Sequence, residues 1–438
     1  MSSRKPQILK GFRDYLPQQM LLRQHVIDLF RTVFERHGFE PLDTPTLEYM
    51  EILTGKAGEN EKLMYHFLDQ GDREVGLRYD LTVPLARFVA MHQNDIVLPF
   101  KRYHIAPVWR AEKPQRGRFR EFWQCDADIV GSPAMTADAE AVSVLVDALH
   151  EVNLSRAVVH INHRKLLSAM ALLAGVEADR APAVFRAVDK LAKIGADGVK
   201  RELLSREISE ASANRVIELV TATGTNDELL DAAADQLAET PGGPAAVTEL
   251  RDLVRHIESL GVPRHSWTID LSLARGIDYY TGPVYEAIVD EPNIGSVAGA
   301  GRYDGLIGTF LGRDIPATGM SLGMERIIEV IHAFDLLPSR TTVSDVFVAC
   351  TPETLSDASH IARTLRTHGF NADLSLTTQR SLGEQLRYAD RKSIPFAIIV
   401  GTEEIGRQVV TIKNLKTGEQ HETGMVLVVE ELRRLSAT

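Results

Sequence analysis

The chain has 438 residues and a formal net charge of −11, so it exceeds one ordinary core and two or more domains are expected. No apolar run reaches the roughly 18 to 20 residues of a membrane span, and no charged, apolar leader opens the sequence. Cys125 and Cys350 are its two cysteines, which excludes a disulfide framework and argues against a zinc site. We therefore expect a cytoplasmic protein.

The first predicted element is a long amphipathic helix. Apolar residues recur at helical spacing from Gln18 to His37, and Gly38 stands where a left-handed C-cap belongs. Two short β-prone runs around Gly71 then predict a hairpin, at residues 64–68 and 74–79. A second helix is predicted from Thr82, with Pro84 in its first turn.

The middle of the chain contains a longer hairpin and a helical insertion. Two strand candidates, at residues 100–111 and 120–130, flank a basic loop that contains Gly117. Residues from about 165 to 261 are rich in Ala, Leu and Glu with helical periodicity, which predicts an insertion without strands. Strands are predicted again at residues 267–271, 283–289 and 296–300, followed by a helix from about Ser321 to Phe334.

The last part of the chain changes pattern after a polar, turn-rich segment at residues 338–344. Strand and helix patterns alternate beyond it, and Ser381 with Glu384 forms a capping box for one of the helices. This alternation predicts a small α/β domain with a mostly parallel sheet. We thus predict one domain at residues 1–338, with the insertion inside it, and a second at residues 345–438.

One segment of this acidic chain is strongly basic. Seven cations and one acid, Glu112, lie among aromatic residues there; the cations are Lys101, Arg102, Arg110, Lys113, Arg116, Arg118 and Arg120. An isolated charge run is most often a solvated surface. The alternative is a site for polyphosphate or RNA, which requires local positive charge.

Polar residues alternate along the second strand of the long hairpin. Because side chains on a strand alternate between faces, one face carries Phe122, Gln124, Asp126 and Asp128. Arg110 and Glu112 share a face of the partner strand. A buried polar row of this kind requires a ligand or a hydrogen-bond network, although an isolated Arg-x-Glu pair is common on surfaces.

Two glycine-containing stretches offer further candidates. Arg275 to Gly282 places a cation, a glycine, an acid and paired tyrosines together, which suits either a ligand site or a hairpin with packed tyrosines. Residues 298–304 and 319–326 combine small residues with Arg326 on a helix. Small residues allow the backbone to approach a ligand closely, but a structural turn explains a lone glycine-rich run equally simply.

Together these stretches resemble the histidyl-tRNA synthetases, a family of class II aminoacyl-tRNA synthetases, from about Lys10 to Leu432. The class II motifs 1, 2 and 3 correspond to the segment around Pro45, to Arg110–Glu112 and to Gly323–Arg326. Arg275–Gly282 resembles the family's histidine-specific signature. Arg78–Thr82 resembles its amino-acid pocket, and Leu386–Pro395 resembles part of its anticodon-binding domain.

The resemblance implies a role for each matching residue. For ATP it implies Arg110 and Arg275 at the α-phosphate, Arg118 at the outer phosphates, and Glu112, Phe122 and Arg326 around adenine. For histidine it implies Asp80, Thr82 and Gln124 near the α-amino group and Asp128 and Tyr280 near the imidazole, with Tyr279 also in the histidine site. For the tRNA acceptor end it implies Gln115 and Arg116. The attacking group is histidine's own carboxylate, so the protein aligns the reactants and stabilises charge.

The implied fold is an α+β class II catalytic domain, an antiparallel sheet flanked by helices, with the helical insertion and a C-terminal α/β anticodon-binding domain. The implied partners are tRNA(His), L-histidine, ATP with Mg²⁺ and a second copy of the chain, without a fixed metal site. Asp80, Asp128 and Ala300 depart from the commonest family spelling, and the two Asp residues suggest another branch of the family rather than lost activity. Two alternatives are a regulatory paralogue of the synthetase and a tRNA-independent adenylating enzyme.

Overall fold

The computed structural model describes residues 5–54, 62–115, 117–274, 279–292, 294–338 and 340–436. The chain forms two compact units: one comprises Met1–Arg13 with Val26–Leu337, and the other comprises Asp14–His25 with Pro338–Thr438. Within the described ranges, no helix has both the length and the apolar character needed to cross a membrane.

The chain begins with the predicted long helix, α1 (Pro17–Arg36). Its apolar residues Val26, Phe30 and Phe34 are fully buried, because they recur on one side of the helix. Gly38 follows with φ of 75°, the left-handed conformation that favours glycine after a helix. The prediction of this helix and its end is confirmed.

A small sheet follows α1. Its strands are β2 (Leu47–Tyr49), β3 (His66–Leu68) and β4 (Glu74–Leu77), in the order β2-β4-β3. The predicted hairpin is confirmed as the antiparallel pair β3–β4, and α2 (Met50–Thr54) follows β2. The predicted helix from Thr82 is α3 (Thr82–Met91).

The first unit is built on an eight-stranded sheet in the order β1-β5-β6-β11-β10-β9-β7-β8. The strands are β1 (Glu40–Pro41), β5 (Phe100–Trp109), β6 (Glu121–Val130), β7 (Val158–His163), β8 (Trp267–Ile269), β9 (Pro283–Ile288), β10 (Ser296–Arg302) and β11 (Ala317–Gly323). The two edge pairs, β1–β5 and β7–β8, are parallel. The pairs between them are antiparallel, which confirms the expected antiparallel centre.

Helices cover this sheet and fill the insertion. The covering helices are α3, α4 (Met135–Glu151), α11 (Asp304–Leu311) and α12 (Met324–Phe334). The insertion connects β7 to β8 and consists of α5 (Arg164–Leu173), α6 (Ala181–Val188), α7 (Leu191–Ser205), α8 (Glu210–Val220), α9 (Asn226–Gln236) and α10 (Gly243–Ser259). Its predicted helical character is confirmed.

The prediction of a helix from Ser321 is wrong in its first residues. Residues 317–323 form β11, which pairs with β6 and β10, and α12 begins only at Met324. The strand is rich in small residues, for which intrinsic propensity favours neither structure strongly. Pairing with neighbours on both sides favours the strand, because a central strand satisfies the hydrogen-bonding capacity of its backbone through those neighbours.

The second unit contains a five-stranded sheet in the order β13-β12-β14-β15-β16. The strands are β12 (Val346–Cys350), β13 (Ala372–Leu374), β14 (Phe396–Val400), β15 (Val409–Asn414) and β16 (Gln420–Gly424), and the helices are α13 (Leu355–Thr367), α14 (Leu382–Arg391), α15 (Thr402–Gly406) and α16 (Val428–Ser436). The capping box of Ser381 and Glu384 is confirmed at the start of α14.

The expected mostly parallel sheet of this unit is wrong. Two strand pairs are parallel, β12–β13 and β12–β14, and two are antiparallel, β14–β15 and β15–β16. The turn between β15 and β16 is short and includes Gly418 at φ of 83°. A connection of that length joins strands only as an antiparallel hairpin.

Candidate active site

A cavity of about 570 Å³ opens in the first unit, above β6, β10 and β11. Several side chains predicted from the sequence line it: Asp80, Arg110, Glu112, Arg118, Phe122, Gln124, Tyr279, Tyr280 and Arg326. Its size is typical of small-molecule sites. Residues that are more than 200 positions apart in the chain thus meet around one space.

The floor of the cavity carries few side chains. Gly299 on β10 lies opposite Ser321 on β11, and Gly323 lies opposite Gln124 on β6. A Cβ atom added at Gly299 meets no other atom within 4 Å. Glycine at these positions leaves the backbone open to close approach by a ligand.

Arg110 and two aromatic rings form one end of the cavity. The Arg110 guanidinium lies 4.3 Å from the ring centre of Tyr79 and 5.0 Å from that of Phe122. Its Nε donates to the carbonyl oxygen of Tyr79 at 3.2 Å. The strand β5 ends at Trp109, so the prediction that Arg110 and Glu112 share a face of this strand is wrong, and both residues follow it. This end combines a fixed cation with a flat apolar surface, which suits a nucleotide.

The loop of the long hairpin closes beside this end. Glu112 pairs with Arg118 at 3.1 Å, and Gln115 exchanges two backbone hydrogen bonds of 3.0 Å with Arg118. Gly117 has φ of 67°, as this tight turn requires. Gln115 is exposed and does not line the cavity, and Arg116 lies outside the described residues.

The start of α12 supports the same end. Arg326 donates from Nη1 to the carbonyl oxygen of Ser296 at 2.5 Å, which holds its guanidinium beside β10. The neighbouring Glu325 accepts a hydrogen bond from the backbone N–H of Trp123 at 3.2 Å. The two residues therefore fix α12 against both β6 and β10.

Asp80 lines a second end of the cavity, directly before α3 and within electrostatic reach of Arg110. Its Oδ1 accepts hydrogen bonds from the backbone N–H groups of Thr82 at 3.2 Å and Val83 at 3.0 Å. Burial raises the pKa of Asp80, while these hydrogen bonds and Arg110 oppose the rise. Thr82 is buried in the first turn of α3 and does not line the cavity.

Asp128 lies beneath this end rather than on the cavity wall. Its Oδ2 is 2.8 Å from Nη2 of Arg102, and its Oδ1 accepts a hydrogen bond of 2.5 Å from the hydroxyl of Tyr303. A Cβ atom at Gly319 would lie 2.0 Å from that Oδ1. Asp128 is therefore held from two sides, and the missing side chain of Gly319 makes room for it.

Gln124 and Asp126 continue the polar row on β6. Gln124 donates from Nε2 to the hydroxyl of Ser321 at 2.8 Å, and its Oε1 has no hydrogen-bond partner among the residues described. Burial raises the pKa of Asp126 to about 8, and Arg102 opposes that rise. The predicted shared face of these residues is confirmed by their pairing with Ser321 and Gly323.

Tyr279 and Tyr280 close the same end with their rings. The ring centres are 4.8 Å apart, and Tyr279 also lies 6.1 Å from the ring of Tyr303, edge to face. Burial raises the pKa of each tyrosine hydroxyl. The hydroxyls therefore stay protonated at neutral pH and can each donate and accept a hydrogen bond.

Some predictions are untested, and some residues were missed. Arg275 lies in the segment 275–278, outside the described residues. Arg102 was missed because its charge was counted in the basic run, although it is 0% exposed. The predicted hairpin could have revealed Arg102, because the β5–β6 register pairs Arg102 with Asp128. Arg186 and Asp189 also line the cavity from the insertion, and nothing in the sequence indicated this.

Carboxylates line the cavity, but neither cysteine does. Cys125 and Cys350 are both buried. Across the described ranges, no group of three or more His, Cys, Asp or Glu side chains is arranged to hold a metal ion.

Comparison with known proteins agrees with this geometry. The family model for histidyl-tRNA synthetase matches residues 11–327, and that for the anticodon binding domain matches residues 345–435. The chain is 41% identical to a histidine–tRNA ligase of Aeropyrum pernix, with 99% of each chain covered. It is 43% identical to one of Korarchaeum cryptofilum, covering 92% of this chain and 94% of that one.

A solved structure extends the comparison to the fold. The crystal structure of histidyl-tRNA synthetase from Nostoc sp. PCC 7120 covers 99% of both chains, with a TM-score of 0.87 at 32% identity. Family models, full-length relatives and this structure all agree with the class II catalytic fold and the C-terminal anticodon-binding domain. This chain belongs to the histidyl-tRNA synthetase family.

Proposed function

We propose that this chain is a histidine–tRNA ligase. In the first step a carboxylate oxygen of L-histidine attacks the α-phosphorus of ATP, and the bond between that phosphorus and the bridging oxygen of pyrophosphate breaks. In the second step a hydroxyl at the 3′ end of tRNA(His) attacks the acyl carbon, and AMP leaves. The names of the relatives that match nearly the whole chain support this activity.

The observation that carries the proposal is the two-ended cavity. One end has Arg110 between aromatic rings, and the other has Asp80 with Tyr279 and Tyr280. A floor with glycine between them allows two ligands to meet over the sheet. Holding reactants together in this way supplies much of the rate of a reaction that lacks a protein nucleophile.

The proposed ATP site uses the cationic end. Arg110 and, by family resemblance, Arg275 stabilise charge on the α-phosphate, and Arg118 contacts the outer phosphates. Phe122 and Arg326 hold the adenine between them, with Glu112 as a polar contact. Cations fixed in advance at a developing charge are effective because they need no reorganisation during the reaction.

The proposed histidine site uses the acidic end. Asp80, Thr82 and Gln124 surround the α-amino group, and Gln124 retains a free acceptor oxygen for it. Asp128, Tyr279 and Tyr280 select the imidazole. An acceptor placed for an imidazole N–H is left unpaired by an apolar amino acid, which penalises that competitor.

The remaining ligands follow from the same proposal. ATP enters with Mg²⁺ bound to its phosphates. Gln115 and Arg116 contact the acceptor end of tRNA(His), and the domain at residues 345–438 binds its anticodon. The catalytic domain spans residues 1–338, with the insertion at about 165–261. We further propose that the enzyme acts in the cytoplasm.

We also propose that the enzyme is a homodimer through the segment around Pro45. The small sheet there exposes apolar side chains that lack cover within the described part of the chain. Leu47 and Tyr49 on β2 are 46% and 48% exposed, and Phe67 and Leu68 on β3 are 44% and 60% exposed. Leu47, Tyr49 and Phe67 share one face of this sheet, and exposed apolar side chains on one face are typical of a protein interface.

Pyrophosphate exchange tests the proposed activity. Labelled pyrophosphate should enter ATP in the presence of histidine and of none of the other amino acids, and histidine should then be transferred to tRNA(His). Folded protein that supports no exchange with histidine would point instead to a regulatory paralogue. Exchange without transfer would point to a tRNA-independent adenylating enzyme.

A further inference from the structure

We infer that Arg102 is a positioning residue for histidine, which fixes Asp128 and the start of α3 relative to each other from beneath the cavity. The inference rests on the proposed function, in which Asp80, Asp128 and Thr82 form the histidine site; of the three, Asp80 lines the cavity as it stands. Arg102 itself does not line the cavity, so it acts on the ligand only through these residues.

One nitrogen of Arg102 reaches both halves of the histidine end. Nη2 lies 2.8 Å from Oδ2 of Asp128, the residue directly opposite it on β6. The same Nη2 donates to the carbonyl oxygen of Leu81 at 3.1 Å. Leu81 is the N-cap residue of α3 and stands between Asp80 and Thr82. A single guanidinium therefore joins the proposed imidazole contact to the proposed α-amino contacts.

The remaining donors of Arg102 argue against a purely structural role. Nε and Nη1 are buried and have no hydrogen-bond partner in the part of the chain that the structure describes. A guanidinium has five N–H donors, and buried polar groups are nearly always satisfied. A buried ion pair is also weak evidence for stability, because removing two charges from water offsets their attraction. The placement of Nη2 is better explained by the geometry that it imposes on Asp128 and Leu81.

Arg102 also balances a group of buried carboxyls. Burial raises the pKa of Asp128, and Arg102 and the Tyr303 hydroxyl both oppose the rise. The same cation opposes the raised pKa values of Asp80 and Asp126. Other titratable and charged groups also interact electrostatically with Arg102 or with these carboxyls, namely His104, Arg78, Arg110, Tyr279 and Tyr280.

The charge state of Asp128 matters for the ligand. An ionised Asp128 accepts an imidazole N–H, whereas a protonated one has lost part of that capacity. Burial, with Arg102 and Arg78, lowers the pKa of His104 to about 3, so His104 adds no positive charge at neutral pH. Loss of Arg102 should therefore both release Asp128 and favour its protonated form.

The test compares Arg102→Met, Arg102→Lys and wild type by histidine-dependent pyrophosphate exchange. We expect Arg102→Met to raise the histidine KM about tenfold or more, the size of one charge-assisted hydrogen bond, and to change the ATP KM less than about twofold. The defect should deepen as the pH is lowered, because burial without the neighbouring cation favours the protonated form of Asp128. Arg102→Lys should recover part of the affinity.

Lys101→Met is the matched control for the loss of a cation from β5. Lys101 is adjacent to Arg102 but points to the other face, where it pairs with Glu140 at 2.8 Å. We expect this variant to keep the wild-type histidine KM. An equal rise in the histidine KM of both variants would overturn the inference, since any ion pair of the strand would then have the same effect.

A double variant keeps the test valid if Arg102→Met does not fold. Arg102→Met with Asp126→Asn removes the cation together with a neighbouring buried carboxyl, so Asp126 is not left without the cation that opposes its raised pKa. The histidine KM should stay high, because Asp128 and Leu81 are still unbridged. If the folded double variant had the wild-type histidine KM, the role of Arg102 would be charge balance alone, and the inference would be overturned. Absence of histidine exchange in wild type would refute the proposed function itself.

Discussion

Gly319 is the residue on which the position of Asp128 depends most directly. It lies opposite Asp128 in the β6–β11 register, and its missing side chain leaves the space that the carboxylate occupies. The carboxylate of Asp128 cannot shift easily, because Arg102 and Tyr303 hold its two oxygens. Even a methyl group at this position would push Asp128 away from both partners.

We predict that Gly319→Ala lowers the free energy of unfolding by about 1–3 kcal/mol, the usual effect of overpacking a core. It should also raise the histidine KM more than the ATP KM, because the displaced Asp128 belongs to the histidine end. Urea unfolding and pyrophosphate exchange measure the two effects. Gly299→Ala is the control for stability, since a Cβ atom there meets nothing within 4 Å. Unchanged stability in Gly319→Ala would mean that Asp128 adapts freely.

At this scale the sequence predicted the side chains that alternate on β6, because strand periodicity alone places Phe122, Gln124 and Asp128 on one face. It did not predict Arg102, whose charge is indistinguishable in sequence from that of a surface residue. The distinction depends on register, which a turn fixes only after its length is known. Arg186 was beyond prediction because the approach of the insertion to the cavity depends on tertiary packing.

Between elements, His37 ties the end of α1 to α4. Its Nδ1 lies 3.2 Å from Glu140 and its Nε2 lies 2.9 Å from Asp147. The side-chain hydrogen bonds to Asp147 and Glu140 raise the pKa of His37 to about 9. A doubly hydrogen-bonded imidazolium therefore bridges two carboxylates of one helix.

We predict a loss of stability as the pH rises through this range. The pKa of His37 is higher in the folded protein than in the unfolded chain, where it is about 6.5. Its stabilisation is therefore complete below about pH 6.5 and disappears as the pH rises through about 9, a change on the order of 2–3 kcal/mol. Unfolding measured in urea across this range should show the decline in wild type and a flatter profile in His37→Gln. Identical profiles would exclude His37 as the titrating group.

Elements with a strong local pattern were predicted well, and those decided by pairing were not. The helix α1 and the capping box of α14 have local signals, namely apolar spacing and a Ser-x-x-Glu sequence. The strand β11 and the hairpin of β15 and β16 do not. Small residues at 317–323 permit either structure, and only their neighbours β6 and β10 select the strand.

Each of the two units has its own hydrophobic core. In the second unit, one face of the sheet packs Val348, Ile398 and Ile412 against Ile361 and Leu365 of α13, while α14 covers the other face with Ala389. The first unit buries α3 and α11 together around Leu85 and Ile307. The apolar side chains of β2 and β3 lie outside these cores.

We predict that Leu47→Asp with Tyr49→Asp dissociates the proposed homodimer. Charges at the centre of an apolar interface lose solvation without gaining partners, which weakens association strongly. Sedimentation at micromolar concentration should give a dimer for wild type and a monomer for the variant. Leu376→Asp is the matched control, because Leu376 is 90% exposed and lies in the second unit. A dimeric Leu47→Asp, Tyr49→Asp variant would move the interface elsewhere.

The open space above Gly299 has a consequence for inhibitors of the enzyme. The fold accepts a side chain at this position, because an added Cβ atom has no other atom within 4 Å. A ligand that lies flat on β10 would lose the space that this side chain occupies. A single substitution can thus exclude a bulky competitive inhibitor while the protein remains folded. The same side chain would also take volume from the proposed substrates, so resistance gained at Gly299 is expected to slow histidine activation as well, and compounds that leave the strand uncovered would not select it.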